Sequence, residues 1–510
     1  MARPVPFALR ELSFRFDAAT APLFSGLTAS LPPGFTGVVG ANGAGKSTLL
    51  RIVAGELTPD HGEVIAPGNV VLCPQRTDRP PAELDALLTD DDPGAHALRG
   101  RLQIAADCLQ RWPTLSHGER KRAQIAAALW QAPDLLAIDE PTNHIDAEAH
   151  GLLVEALARF TGIGLIVSHD RALLDALCSQ CLWLDPPTAT LHPGGYSAAR
   201  AQRAQQRDSA LHERDRARGE RDRLQREQQR RRIRAEGADR KRSKRGVARA
   251  DHDAKAPIAL ARVTGKDGQA GRLQRQLDGR ARQLRDRVDA AFVAPAPDAC
   301  IRLPGSAAPG DTLLDLPAGT FPIGNGHRLR HPDLRLRPTE RIAITGPNGC
   351  GKTTLLEALR ARLKIDAGRI LWLPQELDAA RGRAVLDAVR QLPPERLGWV
   401  MTLTSQLGSA PQRLLASRTP SPGELRKLML ALGIAGAPQL IVMDEPTNHL
   451  DLPSIESLQT ALLGFPGSLL LVSHDEPFLQ ALTRQRWRLQ RDEHGDTLLH
   501  PDAASYRCDA

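Results

Sequence analysis

Eight residues near the start of the chain have the types and spacing of a loop that holds phosphate: Gly40, Ala41, Asn42, Gly43, Ala44, Gly45, Lys46 and Ser47 fit G-x-x-x-x-G-K-[ST]. The glycines let the backbone wrap an anion with its N–H groups turned inward. Lys46 would reach the β- and γ-phosphates of a nucleotide, the Ser47 hydroxyl would hold Mg2+, and a helix opening at Thr48 adds its positive end. Val38 and Val39 read as the end of a buried strand, and Thr48 to Val53 as the first turns of a helix. A flexible glycine turn would need neither flank.

The same chemistry recurs in Gly346, Pro347, Asn348, Gly349, Cys350, Gly351, Lys352 and Thr353, with Thr354 opening the helical run. Lys46 and Lys352 are 306 residues apart. Three further pairs lie 305 apart, Ser116 and Ser421, Asp139 and Asp444, His169 and His474, while Gln75 and Gln375 are separated by 300. The chain is an internal duplication.

Each repeat places further candidates at strand ends. Val70–Gln75 and Arg369–Gln375 end in a glutamine that can ligate Mg2+ and sense the γ-phosphate. Leu135–Asp139 and Leu440–Asp444 run into Glu140 and Glu445; Asp139 and Asp444 suit Mg2+, and the two glutamates are placed to polarise an attacking water. His169 and His474 follow apolar strands and can contact the γ-phosphate. Ser116, Gly118 and Glu119, like Ser421, Gly423 and Glu424, open a helix with a capping box, and a glycine-bearing helix start is also an anion site. Phe16 could stack on an adenine; Phe321 is its weaker counterpart.

In this order, and twice, these motifs resemble two ATP-binding cassettes. The resemblance implies an α/β fold with a mixed sheet and a helical subdomain in each cassette. It also implies head-to-tail pairing, with each ATP held between one phosphate loop and the other cassette's Ser-x-Gly-Glu helix. Lys46, Gln75, Glu140 and His169 would then face Ser421 to Glu424, and the second set would face Ser116 to Glu119. His117 and Pro422 depart from the family's usual glycine, and Pro422 has no N–H to offer a phosphate. The two sites are therefore expected to be unequal.

Length and composition bound the alternatives. A chain of 510 residues that is 41% hydrophobic can bury about three domain cores. Its longest aliphatic stretches, such as Ser468–Val472, fall far below the roughly 18 residues of a membrane span. The N-terminus shows no apolar signal region. Seven scattered cysteines argue for a reducing compartment, and Cys178 and Cys181 read as core positions despite their redox-like spacing. A cytoplasmic location is expected.

The net charge of +8 is uneven. Residues 200–250 carry 19 Lys and Arg against 8 Asp and Glu, and residues 251–290 carry 9 against 6. That segment is net +14, which leaves −6 for everything else. Ala198 to about Ala238 reads as one long exposed helix. A turn region from Gly246 to Gly271 follows, and Leu273, Leu277, Leu284 and Val288 recur as in a return helix.

Gly194-Gly195-Tyr196-Ser197 followed by such a linker resembles the F subfamily of ATP-binding cassette proteins (ABC-F), soluble tandem cassettes that act on the ribosome. The resemblance implies an ATPase that uses ATP and Mg2+, works as a monomer with intramolecular cassette pairing, and regulates translation or protects the ribosome, including against antibiotics. The expected architecture is a first cassette at 1–196, a basic helical hairpin or antiparallel coiled-coil linker at 197–295, and a second cassette at 296–510. Arg240, Lys241, Arg242, Lys244 and Arg245 are the candidate RNA contacts, reading phosphate because no aromatic stands between Tyr196 and Phe292. Gln75 to Ser116 spans 41 residues and Gln375 to Ser421 spans 46, so no family-type insertion is expected in the first cassette. With 36 residues after His474, no C-terminal coiled coil is expected either. The alternative is the ATP-binding subunit of a transporter.

Overall fold

Three runs of buried aliphatic residues, Gly34–Gly40, Ile163–Val167 and Leu135–Asp139, lie side by side as parallel strands in the computed structural model. The structure describes residues 7–242, 282 and 303–503, except 18, 20, 144, 376–378, 410–413, 416–420 and 449. Strands buried on both faces lose the polar alternation of a surface sheet, which is why these segments are continuously apolar.

The first cassette's main sheet has six strands. Their spatial order is Val70–Cys73, Leu135–Asp139, Ile163–Val167, Gly34–Gly40, Cys178–Asp185 and Thr188–Pro193, the last antiparallel to its neighbour. A separate antiparallel sheet is built from Phe24–Leu31, Phe7–Phe14 and His61–Ile65. The second cassette repeats the order as Ile370–Leu373, Leu440–Asp444, Ser468–Val472, Arg341–Thr345, Gln485–Arg491 and Thr497–Ala503. It then extends the same sheet with Arg328–His331 and Gly319–Pro322.

Register carries the functional consequence. Val38 and Asp139 both pair with Val167, so the phosphate loop, Asp139-Glu140 and Ser168-His169 all leave the sheet at one carboxyl edge. Ile344 and Asp444 pair with Val472 in the same way. Ligands of parallel α/β sheets bind at this edge.

Helices Leu84–Thr89, Pro93–Arg101 and His117–Trp130 form the first helical subdomain, matched by Ala379–Arg390, Pro394–Gln406 and Pro422–Ala435. Leu452 of the second cassette is buried within the first cassette's core cluster, so the two cassettes share apolar packing. Cys178 and Cys181 are buried in their strand, and burial pushes the Cys181 thiol up to about 12, as a core position requires.

Residues 1–199 with 297–510 make one compact unit, and residues 200–296 another. The long helix runs Tyr196–Arg242, 47 residues, longer at both ends than the Ala198–Ala238 expected from sequence. It begins early because Tyr196 is fully packed, its ring stacked 5.7 Å from Trp183, and because Asp175 accepts from the Ser197 amide and hydroxyl. The helix has no apolar stripe, and Ile233 is exposed. Arg240, Lys241 and Arg242 lie on its last turn. Lys244 and Arg245, the turn region Gly246–Gly271 and Leu273, Leu277, Leu284 and Val288 lie outside the described residues.

Candidate functional site

The phosphate loops connect a buried strand to a helix through left-handed glycines. Gly45 and Gly351, at φ +90° and +92°, precede the helices Lys46–Val53 and Lys352–Arg360, which have no side-chain cap. A side chain at either glycine would be strained and would also collide, with Leu23 at 2.7 Å from Gly45 and Ile323 at 2.6 Å from Gly351. The result is a helix start whose first amides face the loop's concavity.

Lys46 Nζ donates to the carbonyls of Gly40 (2.9 Å) and Ala41 (3.2 Å), and Lys352 Nζ to those of Gly346 (2.7 Å) and Pro347 (3.3 Å). Each lysine is thus folded back along its own loop. Lys352 also lies 3.1 Å from His474 Nε2, and burial together with that charge pushes the imidazole down to about 4. Burial lowers Lys46 as well, partly offset by the Glu140 charge.

The Ser47 hydroxyl bonds the Asp139 carboxylate, and Thr353 Oγ1 donates to Asp444 Oδ2 at 2.9 Å. Asp139 Oδ1 is buried with no hydrogen-bond partner, an arrangement that a divalent cation would satisfy. Burial raises both aspartates above the usual carboxylate range. Gln75 and Gln375 stand exposed just beyond their strands.

Glu140 and Glu445 sit in left-handed backbone, φ +47° and +48°, held by an amide bond to Val167 O and to Val472 O, both 2.8 Å. Such strain at a bulky residue persists only where the surroundings fix it, and here it turns the carboxylate toward the phosphate loop. Each glutamate accepts from the amide of its histidine, His169 or His474, at 3.3 Å, with the ring Nε2 at 3.3 and 3.5 Å. Burial pushes both carboxyls up to about 8, and the neighbouring lysine offsets only part of this. A carboxyl of such proton affinity is suited to take a proton from water.

Ser116 and Ser421 cap their helices with complete capping boxes. Each hydroxyl accepts from the amide of Glu119 or Glu424 at 3.3 Å, and that carboxylate accepts from the serine amide at 2.8 or 2.9 Å. The second residue of each helix is a buried glycine, Gly118 or Gly423.

The cassettes meet across these loops. The Asn42 amide donates to Asp451 Oδ2 (2.7 Å), and the Asn348 amide to Asp146 Oδ2 (3.3 Å), so each phosphate loop is touched by the other cassette. A cavity of about 1060 Å³ is lined by Gly349, Lys352, Thr353, Gln375, Glu445 and His474 from the second cassette and by His117, Asp146 and His169 from the first. Asn348, Gly351 and Thr354 line it too, while Cys350 is buried behind the loop. The first cassette's helix start enters through His117, the residue between Ser116 and Gly118.

Several residues that hold the site together escaped the sequence reading. Lys121 and Arg426, each five residues after the capping serine, are fully buried cations. Lys121 reaches the carbonyls of Pro74 and Asp139, and Arg426 those of Pro374, Gln375, Asp444, Glu445 and Asn448. They tie the glutamine turn and the strand end before Glu140 or Glu445 to the capped helix. The matched offset was the available signal. Asp146 and Asp451 stood in the duplicated motif without a role.

The family model described as ABC transporter matches residues 24–143 and 329–448. The tylosin resistance ATP-binding protein TlrC of Streptomyces fradiae is 34% identical over 95% of this chain and 97% of its own. The ribosome protection protein VmlR of Bacillus subtilis is 27% identical over 91% of this chain and 83% of its own. A solved structure described as a model of ribosome-bound archaeal Pelota and ABCE1 superposes with a TM-score of 0.61 at 18% identity, covering 97% of this chain and 79% of that one, a likeness of fold.

Proposed function

Because the chain belongs to the ABC-F subfamily of ATP-binding cassette proteins, we propose that it is a ribosome-protecting ATPase whose two cassettes close on two ATP molecules. The observation that carries this reading is the reciprocal contact of each phosphate loop with the other cassette's aspartate, Asp451 on Asn42 and Asp146 on Asn348. A nucleotide in such a loop lies between two cassettes, so its γ-phosphate can report on their closure.

Lys46 and Lys352 would release their loop carbonyls to hold the β- and γ-phosphates. Mg2+, held through Ser47, Gln75 and Asp139 or Thr353, Gln375 and Asp444, would neutralise charge developing on the phosphates. Glu140 and Glu445 take the proton of the attacking water, with His169 and His474 positioned beside them. The helix starts at Ser116 and Ser421 supply backbone donors from across the interface.

The linker would carry closure to the ribosome. Tyr196, at the base of the long helix, donates from its hydroxyl to Glu456 Oε1 at 2.8 Å, on the helix Leu452–Leu463 that Asp451 caps. Thus the residue touching the first phosphate loop and the residue holding the linker helix share one helix of the second cassette. The basic linker, with Arg240, Lys241, Arg242, Lys244 and Arg245, would contact ribosomal or transfer RNA through phosphates. Domain boundaries at 196 and 295, a monomeric state and a cytoplasmic location belong to the same reading. No helix among the described residues is long and apolar enough to cross a membrane.

The test is ribosome pelleting of the Glu140→Gln/Glu445→Gln protein with ATP, paired with cell-free translation inhibited by tylosin. We expect ATP-dependent pelleting that weakens steeply with salt, and wild-type protein restoring translation. Absence of ribosome association at low salt would overturn the reading.

A further inference from the structure

We infer that the base of the nucleotide at the second phosphate loop is held by His327 and Arg491, a purine-binding face that replaces the aromatic ring offered by the first cassette. This deepens the proposed ATP-binding reading and rests on it.

The two cassettes differ at the hairpin beside the phosphate loop. Phe16 is 46% exposed beyond its strand, with its ring edge-on to Phe14 at 5.0 Å, so its outer face is available for stacking. Phe321 stands 305 residues later, the offset of the duplication. Its ring instead lies flat on His331 at 4.8 Å, within the paired strands Gly319–Pro322 and Arg328–His331. It does not line the cavity. Phe24 and Leu329, also 305 apart, both approach the last loop glycine, Gly45 or Gly351. This fixes which side of each loop the hairpin covers.

On that side of the second loop the cavity wall is Ile323, Gly324, His327 and Arg491. His327 is held by its own carbonyl, which accepts from the Ile323 amide at 2.9 Å. Its ring lies over Gly495, where a Cβ would stand 2.5 Å from Cε1, so the neighbouring hairpin backs the imidazole. That hairpin is closed by the Asp492 amide to Asp496 O at 2.8 Å, and Asp496 Oδ1 accepts from the Arg328 amide at 2.9 Å. The imidazole is therefore backed on one face by the Gly495 hairpin.

Arg491 is fixed as well, since Nη2 donates to Gly349 O at 2.8 Å. The first cassette has no cation at the corresponding position. Leu184 O approaches Gly40 as Leu489 O approaches Gly346, both 2.6 Å from an added Cβ, so two residues on, Pro186 corresponds to Arg491. A planar imidazole and a guanidinium on one wall offer a purine ring stacking and cation–π contact.

The test uses the full chain with Lys46→Ala, which removes phosphate binding at the first loop, and compares ATP with inorganic tripolyphosphate by calorimetry. His327→Ala should weaken ATP about tenfold and leave tripolyphosphate unchanged. His327→Phe should keep ATP affinity, and adding Arg491→Ala to His327→Ala should leave ATP binding no tighter than tripolyphosphate. Unchanged ATP affinity in His327→Ala, or an equal loss of both ligands, would overturn the inference. A Lys46→Ala parent that binds neither ligand would instead overturn the ATP-binding reading on which it stands.

Discussion

The two cassettes share strand order, strand-end carboxylates and capped helix starts, and they differ chiefly where one faces the other. The second loop looks across at His117, a residue with an amide and an imidazole, whereas Pro422 at the matching position has neither. Asp170 is paired with His150 at 2.8 Å within the first cassette, while Asp475 is paired at 3.3 Å with Arg171 from across the interface. Lys121 reaches two carbonyls and Arg426 reaches five. Duplication preserved the strand order and the capped helix starts and changed both what each cassette presents to its twin and the cation buried inside it, so the two loops face different residues.

The largest effect should come from removing both proposed bases. Glu140→Gln/Glu445→Gln should lower ATP turnover at least about 100-fold with ATP binding retained, measured by phosphate release and equilibrium binding. Near wild-type turnover would remove both residues from this role and dissolve the comparison.

The buried cations sharpen it next. Arg426→Met removes a donor from five carbonyls and should cost about 3 kcal/mol, whereas Lys121→Met removes one from two and should cost about 2 kcal/mol. Denaturant unfolding of the two variants gives the order; the reverse order would mean that burial rather than carbonyl number sets the cost.

Tyr196→Phe removes the hydroxyl that joins the linker base to Glu456 and should cost about 1 kcal/mol. ATP-dependent ribosome pelleting should weaken with ATP turnover of the free protein unchanged, and unaltered pelleting would remove this link from the coupling.

The smallest expected effect is the pH dependence of the His150–Asp170 pair. The bond to Asp170 raises His150 above its ordinary value near 6.5. Its stabilisation is present in full below that value and is lost as pH rises through the raised one. His150→Gln should remove a pH-dependent fall in melting temperature of about 2 °C. The second cassette carries Ile455 at this position and should contribute no such term.

Much of the site was legible in sequence because its chemistry needs short, fixed spacings. A phosphate loop must turn within eight residues, and Asp139-Glu140 must follow a buried strand, so type and position are read together. The cross-cassette bonds of Asp146 and Asp451 were hidden because they depend on packing between repeats roughly 300 residues apart. The left-handed backbone of Glu140 and Glu445 was hidden too, since glutamate carries no propensity for it. Arg426 and Lys121 were hidden because the carbonyls that hold them come from other segments of the chain. The linker's charge was plain from composition, and its first helix proved longer than expected because Tyr196 and Ser197 are anchored before the charged run begins.

The central claim is that the sites are unequal, with more turnover at the loop facing His117 than at the loop facing Pro422. Steady-state phosphate release from the two single variants tests it directly. One missing transition-state donor can cost roughly 3 kcal/mol, so Glu445→Gln should abolish most turnover while Glu140→Gln retains most of it. Equal losses in the two variants would contradict the account.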